Sequence, residues 1–145
     1  MHYHNITKLD MLNGDGLRVV LWLSGCDHHC NNCQNPQTHD YNSGIPFDES
    51  AKEEIFEELN KDYVKGITFS GGDPLHQNNI KDVHNLCIHI KEKFPTKDIW
   101  LYTGYTLEEI FESDDIFNMV RQTIISMCDV LVDGRYVDNL KDSKY

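Results

Sequence analysis

The stretch that decides the fold reads Leu17-Arg18-Val19-Val20-Leu21-Trp22-Leu23-Ser24-Gly25. A mostly apolar run of seven residues lies between the glycine-containing residues 13–16 and the Ser24-Gly25 turn. Such a run between turn signals predicts a β-strand. Three further short strands are predicted at residues 66–69, 98–102 and 130–132, and each also ends in a turn that contains glycine.

Helical patterns separate these strands. Residues 50–60 begin with a Ser50 to Glu53 spacing that is typical of a capping box, and a second box from Thr106 to Glu109 predicts a short helix. Two longer helices are predicted from apolar residues that recur every three or four positions. The first stripe consists of Ile80, Val83, Cys87, Ile90 and Phe94, and the second of Ile116, Phe117, Val120, Ile124 and Met127.

The alternation of strand and helix predicts an α/β fold, in a single domain over residues 1–145. Right-handed crossovers then give a mainly parallel sheet with the helices outside. Ligands bind such sheets at the carboxyl ends of the strands. The four glycine-containing turns, at residues 24–25, 70–72, 103–104 and 133–134, should therefore form one rim, where we expect the active site.

A cysteine cluster leaves the first strand at the same rim and reads Cys26-Asp27-His28-His29-Cys30-Asn31-Asn32-Cys33. Thiolates spaced C-x3-C-x2-C can converge on one metal centre. The other two cysteines, Cys87 and Cys128, lie in apolar helical patterns. Three ligands and one open coordination position are typical of a reactive metal site rather than a structural one.

Two other interpretations of the cluster are open from the residues alone. The three cysteines could bind zinc with His28, His29 or His39 as the fourth ligand, or they could form a redox thiol group. Structural zinc sites usually have two ligand pairs about a dozen residues apart, and no second pair follows here. The spacing therefore favours an iron-sulfur cluster over zinc.

Composition limits the partners and the compartment. The chain has 13 Lys and Arg against 24 Asp and Glu, so its formal net charge is −11. That charge repels phosphate backbones and anionic membranes, and neither nucleic acid nor a membrane is expected as a partner. The sequence shows neither a signal-peptide pattern nor an apolar run near the length of a membrane span. Five cysteines, an odd number, indicate reduced thiols and a cytoplasmic location.

The cysteine triplet after the first strand and Gly71-Gly72-Asp73-Pro74 after the second resemble the radical S-adenosylmethionine superfamily. Within it, the chain resembles the activating proteins of anaerobic ribonucleoside-triphosphate reductase along nearly its whole length. The segments that carry this narrower resemblance are Asn13-Gly14-Asp15-Gly16, Ser24-Gly25-Cys26, Phe69-Ser70-Gly71-Gly72-Asp73-Pro74-Leu75-His76, Asp98-Ile99-Trp100-Leu101-Tyr102-Thr103-Gly104-Tyr105 and Val130-Leu131-Val132-Asp133-Gly134.

The resemblance implies an incomplete (β/α) barrel and a defined chemistry. Cys26, Cys30 and Cys33 would hold a 4Fe-4S cluster whose open iron binds S-adenosyl-L-methionine. Reductive cleavage of that cofactor would give a radical that removes a hydrogen atom from a glycine of the anaerobic reductase. A low-potential electron donor such as flavodoxin would be a second partner. Activation of another glycyl radical enzyme is the nearest alternative, and a non-catalytic Cys3His zinc module is the remote one.

The resemblance also assigns cofactor contacts. Gly71 and Gly72 would let the backbone approach the methionine end of the cofactor, where a side chain would obstruct it. The full set of expected contacts is Asn32, Cys33, Gln34, Gly71, Gly72 and Asp73.

Other polar and aromatic residues on the predicted strands and at their ends are candidates for contacts in the site. Tyr102 and Tyr105 are candidates for contact with adenine, or they simply pack at the strand end. Arg18 could pair with a cofactor carboxylate or with a structural one. Asp133 and Arg135 are expected to face the substrate glycine loop.

Overall fold

The computed structural model describes residues 1–11, 16–25 and 44–133. The strands are β1 (His2–Asp10), β2 (Arg18–Leu23), β3 (Ile45–Pro46), β4 (Gly66–Gly71), β5 (Asp98–Tyr102) and β6 (Val130–Val132). The helices are α1 (Glu49–Leu59), α2 (Ile80–Lys93), α3 (Leu107–Phe111) and α4 (Ile116–Met127). None of the helices in these ranges is long and apolar enough to cross a membrane.

The strands form one mixed sheet in the order β3-β1-β2-β4-β5-β6. The four strands predicted from the sequence, β2, β4, β5 and β6, are parallel neighbours. The sequence did not predict β1 and β3, and β1 runs antiparallel to both β2 and β3. The parallel part of the sheet is thus confirmed, whereas the incomplete barrel stays a prediction.

The order of the parallel strands explains where the helices lie. Because β2, β4, β5 and β6 follow one another across the sheet in chain order, right-handed crossovers place the connecting helices on one face. Alternate strand residues point to that face and are fully buried in a single apolar core with the helices. On the strands these are Val19, Leu21, Leu23, Ile67, Phe69, Ile99 and Leu101, and on the helices they include Ile55, Leu59, Val83, Ile90, Ile110 and Ile124.

Side-chain caps set the helix starts. The predicted box at Ser50 is wrong, because the N-cap of α1 lies two residues earlier, where the Asp48 carboxylate accepts a hydrogen bond of 3.0 Å from Ala51 N. The predicted box of α3 is confirmed. Thr106 Oγ1 accepts from Glu109 N at 3.1 Å, and Glu109 Oε1 accepts from Thr106 N at 2.9 Å.

A buried arginine joins three strands at the end of the sheet opposite the predicted rim. Arg18, the first residue of β2, is fully buried and donates to Thr68 Oγ1 at 2.8 Å and to Asp98 Oδ1 at 2.5 Å. Gly66 lies between Arg18 and Asp98 in the strand register, and a Cβ there would overlap with Asp98. The guanidinium therefore reaches across a strand that has no side chain at that point. The structural interpretation of Arg18 is confirmed.

Candidate active site at the carboxyl rim

Backbone hydrogen bonds join the carboxyl ends of the parallel strands side by side. Gly72 N donates to Leu23 O at 2.7 Å, which connects the end of β4 to that of β2. Thr103 N donates to Val132 O at 3.0 Å and connects β5 to β6. The predicted rim is confirmed for the part of each turn that the structure describes, namely residues 24–25, 70–72, 103–104 and Asp133.

The carboxylate of Asp73 connects the two central turns of the rim. It is fully buried, and its Oδ1 accepts hydrogen bonds from Leu75 N at 2.9 Å and from Thr103 Oγ1 at 2.7 Å. Its Oδ2 accepts from Gly104 N at 2.9 Å. These bonds give the side chain a structural role. A contact between Asp73 and a cofactor stays a prediction, and the protein donors already occupy both carboxylate oxygens.

Gly71 is required by the neighbouring strand. Its φ of +99° is rarely adopted by other residues, and a Cβ would overlap with the backbone of Leu23. The approach of a cofactor was the expected reason for this glycine, whereas the obstruction in the structure is β2 itself. Contacts of Gly71 and Gly72 with a cofactor stay predictions, and they would involve the backbone of this turn.

Asn79 is a rim residue that sequence reasoning missed. It is fully buried, and its Nδ2 donates to Ser24 O at 2.8 Å and to Asp73 O at 2.9 Å. Its Oδ1 is buried and accepts no hydrogen bond from the residues that the structure describes. Asn79 directly precedes α2 but makes no side-chain capping bond. An asparagine at this position signals a helix cap, so the sequence pointed to a different role.

Tyr105 packs against a second buried arginine. The Arg121 guanidinium lies 4.4 Å from the centre of the Tyr105 ring, and its Nη2 donates to the Tyr105 hydroxyl at 3.2 Å. Arg121 also donates to Leu75 O at 2.8 Å, which attaches α4 to the turn after β4. These contacts support the packing interpretation of Tyr105. Tyr102 is half-buried on β5, and its contact with adenine stays a prediction.

The predicted cluster ligands Cys26, Cys30 and Cys33 lie outside the described residues, as do Asn32, Gln34 and Arg135. Gly25, the residue before Cys26, is described. Its carbonyl accepts a hydrogen bond of 2.6 Å from Asp73 N, so the chain enters the cysteine segment beside the Gly71-Gly72 turn.

The two remaining cysteines are in the helical layer. Cys87 is fully buried in the core, and burial raises its pKa well above the ordinary value of a thiol. Burial also raises the pKa of Cys128 to about 12. Both thiols are therefore protonated near neutral pH and are poor metal ligands. Within residues 1–11, 16–25 and 44–133, no group of three or more His, Cys, Asp or Glu residues is arranged to hold a metal ion.

A family model described as a 4Fe-4S single cluster domain matches residues 12–145. Curated relatives named anaerobic ribonucleoside-triphosphate reductase-activating protein match almost the whole chain. The relative from Escherichia coli K12 is 41% identical over 98% of this chain and 89% of its own length. The relative from Enterobacteria phage T4 is 38% identical over 99% and 86%, and that from Vibrio cholerae is 38% identical over 98% and 88%.

These matches favour an iron-sulfur cluster over zinc as the metal of the cysteine triplet. The matched part of the chain also includes all the motifs, which lie between the turn before the first predicted strand and the turn after the last one. The chain carries a 4Fe-4S single cluster domain and belongs to the family of anaerobic ribonucleoside-triphosphate reductase-activating proteins.

Proposed function

We propose that this protein is a radical S-adenosylmethionine enzyme that generates a glycyl radical on anaerobic ribonucleoside-triphosphate reductase. The observation that carries the proposal is the hydrogen bond of 2.6 Å from Asp73 N to Gly25 O. It holds the residue before Cys26 against the Gly71-Gly72 turn. The proposed cluster segment and the proposed cofactor turn therefore start from adjacent points of one rim.

The donor set fits a cluster with one open iron. Cys26, Cys30 and Cys33 are the proposed ligands, and three thiolates suit iron-sulfur chemistry. Burial in the helical layer disfavours Cys87 and Cys128 as a fourth ligand, because it raises the pKa of both thiols. Such a cluster would supply the electron for reductive cleavage of S-adenosyl-L-methionine, and with it the radical chemistry that acts on the substrate glycine.

The residues around the turn hold it in one geometry. Asn79 binds the carbonyls of Ser24 and Asp73 together, and the Asp73 carboxylate binds the turn that follows β5. A site whose backbone is held by buried hydrogen bonds positions a ligand without ordering cost on binding. Asn79 Oδ1 is buried and has no partner within the described part of the chain, so it is an acceptor of the kind that a polar group at a site satisfies.

The proposed cofactor contacts come from two segments of the chain. Asn32, Cys33 and Gln34 belong to the cysteine segment, and Gly71, Gly72 and Asp73 belong to the end of β4 and the turn that follows it. Both carboxylate oxygens of Asp73 already accept hydrogen bonds within the rim. We therefore assign the proposed cofactor contact of Asp73 to its backbone.

The partners and the compartment follow from the family and the charge. The names of the relatives state that they activate anaerobic ribonucleoside-triphosphate reductase, and we propose the same target here. A low-potential donor such as flavodoxin would supply the electron. The net charge of −11 opposes binding to nucleic acid and anionic membranes, and the odd number of cysteines supports a cytoplasmic location.

The test is anaerobic reconstitution with iron and sulfide. The reconstituted protein should be brown, should cleave S-adenosyl-L-methionine when reduced, and should produce a glycyl radical signal in electron paramagnetic resonance when the reductase is added. Replacing Cys26, Cys30 or Cys33 by Ala should abolish cluster assembly. As matched controls, Cys87→Ala and Cys128→Ala should keep normal iron content. A colourless zinc protein, or a cluster that survives loss of a triplet cysteine, would contradict the proposal.

A further inference from the structure

Exposed apolar side chains are concentrated in one part of the surface. Of the ten large apolar side chains that are exposed among the described residues, five lie within residues 107–119. Single exposed apolar residues are common, but a concentration of them marks an interaction site. The five are Leu107, Phe111, Ile116, Phe117 and Met119.

The helix geometry shows that this exposure is not a poorly packed core. Leu107 and Phe111 are four residues apart on α3, and Ile116 and Met119 are three apart on α4, so each pair shares a helix face. The core side of the same helices is supplied by Ile110 and Ile124, which are fully buried. Both helices thus have an apolar face in addition to the one that the core needs.

We propose that residues 107–119, the α3–α4 surface, are the docking site for a protein partner with an apolar patch surrounded by Lys and Arg. We identify this partner as the anaerobic reductase, and that identification rests on the proposed function.

Charge defines the chemistry of the partner. Residues 107–119 contain five carboxylates and no Lys or Arg, and Glu108, Glu112 and Asp114 among them are exposed. The nearest cation along the chain, Arg121, is buried against Tyr105. A second copy of the chain would bring identical anionic surfaces together, and their repulsion opposes a self-complementary contact. A cationic surface around an apolar patch is complementary to this one.

The α3–α4 surface is continuous with the rim. Leu107 N donates to Asp133 Oδ2 at 3.3 Å, so α3 starts against the end of β6. Arg121 binds α4 to the turn after β4 through Leu75 O. A partner that brings a glycine to the rim needs an interface of about 800 Å² on each side, more than a few turns provide. The neighbouring apolar surface supplies the missing area.

The experiment compares three double variants of the reconstituted protein. I116S/M119S removes apolar contact, and E108K/E112K reverses charge. M11S/I88S is the matched control, because Met11 and Ile88 are also exposed but lie outside the surface. For each we would measure the Kd for the purified reductase under anaerobic conditions, the glycyl radical yield, and cofactor cleavage driven by dithionite.

I116S/M119S should weaken binding at least about tenfold and lower the radical yield, because burial of an apolar side chain contributes roughly that factor or more. E108K/E112K should slow association about tenfold at low salt, and the difference should shrink as salt is added. Both should cleave the cofactor like the unmodified protein, and the control should bind within about twofold of it.

The outcomes separate this proposal from the proposed function. If the unmodified protein neither cleaves S-adenosyl-L-methionine nor activates the reductase, the proposed function fails. If it does both and the two surface variants bind normally, only the docking site is refuted. If the surface variants bind the reductase normally but unfold at a lower midpoint, another segment of the same chain covers these residues. If they bind the reductase normally but no longer form a dimer, a second copy of the chain is the occupant. Both results overturn the proposal.

Discussion

Replacing Asp73 by Asn tests whether its carboxylate holds the rim together. The carboxylate accepts hydrogen bonds from Leu75 N, Thr103 Oγ1 and Gly104 N over distances of 2.7 to 2.9 Å. Asparagine has nearly the same shape, but one oxygen becomes an NH2 donor. In either orientation of the amide, at least one donor of the rim then faces another donor.

The magnitude follows from burial. Asp73 is fully buried, so water cannot replace the lost acceptor. An unsatisfied buried donor costs about 1–3 kcal/mol, and a hydrogen bond to a charged group is stronger than one to a neutral group. We therefore expect Asp73→Asn to lower the free energy of unfolding by about 2–4 kcal/mol, with or without S-adenosyl-L-methionine.

Urea unfolding of the reconstituted protein under anaerobic conditions measures this change. Tryptophan fluorescence is a suitable signal, since Trp22 and Trp100 lie on β2 and β5, on either side of β4. The matched control is Asp62→Asn at an exposed position, which should change the free energy of unfolding by less than about 0.5 kcal/mol. Unchanged stability of Asp73→Asn together with weaker cofactor binding would refute the structural role and make the side chain a cofactor contact.

Three further predictions concern the sheet and the thiols. Gly71→Ala should lower the free energy of unfolding by more than about 2 kcal/mol in urea, because the strain at positive φ adds to the overlap with β2. Asp98→Ala should cost about 3–5 kcal/mol in the same assay, because it leaves the Arg18 guanidinium buried without its carboxylate. At pH 8 the folded protein should not be alkylated by iodoacetamide at Cys87 or Cys128, as read by mass spectrometry. The raised pKa of both thiols keeps them protonated, so any stability they contribute is present below the unfolded pKa of about 8.5 and is lost as pH rises toward the folded values.

Matched controls make these predictions specific. At Gly16 the added Cβ would meet only the flexible side chain of Lys65, so Gly16→Ala should cost less than Gly71→Ala. Lys91 pairs with Asp129 at the surface, at 3.5 Å, so Lys91→Ala should cost less than about 1 kcal/mol. If the two variants of either pair lose equal free energy of unfolding, the argument for Gly71 or for Asp98 is contradicted. Rapid alkylation of Cys87 or Cys128 in the folded protein would contradict the prediction for the thiols.

Local patterns in the sequence were sufficient for the parallel strands and for one helix start. The predicted bounds of β5 and β6 match the structure, because both are short, mainly apolar runs that end at glycine-containing turns. The Thr106 to Glu109 box was readable because both hydrogen bonds lie within four residues. The strands β1 and β3 were missed, since β1 is only partly buried, β3 is exposed, and neither has the apolar run that marks the other strands.

The sequence by itself predicted an iron-sulfur protein, because cysteine spacing is a local feature, and the family model supports that prediction. Only the tertiary structure decided what holds the candidate site in place. Asn79 and Ser24 are 55 positions apart in the chain, and Asp73 binds the Thr103-Gly104 turn across 30 and 31 positions. The conflict that requires glycine at position 71 likewise arises from strand pairing. Such bonds depend on which strands become neighbours, and local sequence patterns do not specify that choice.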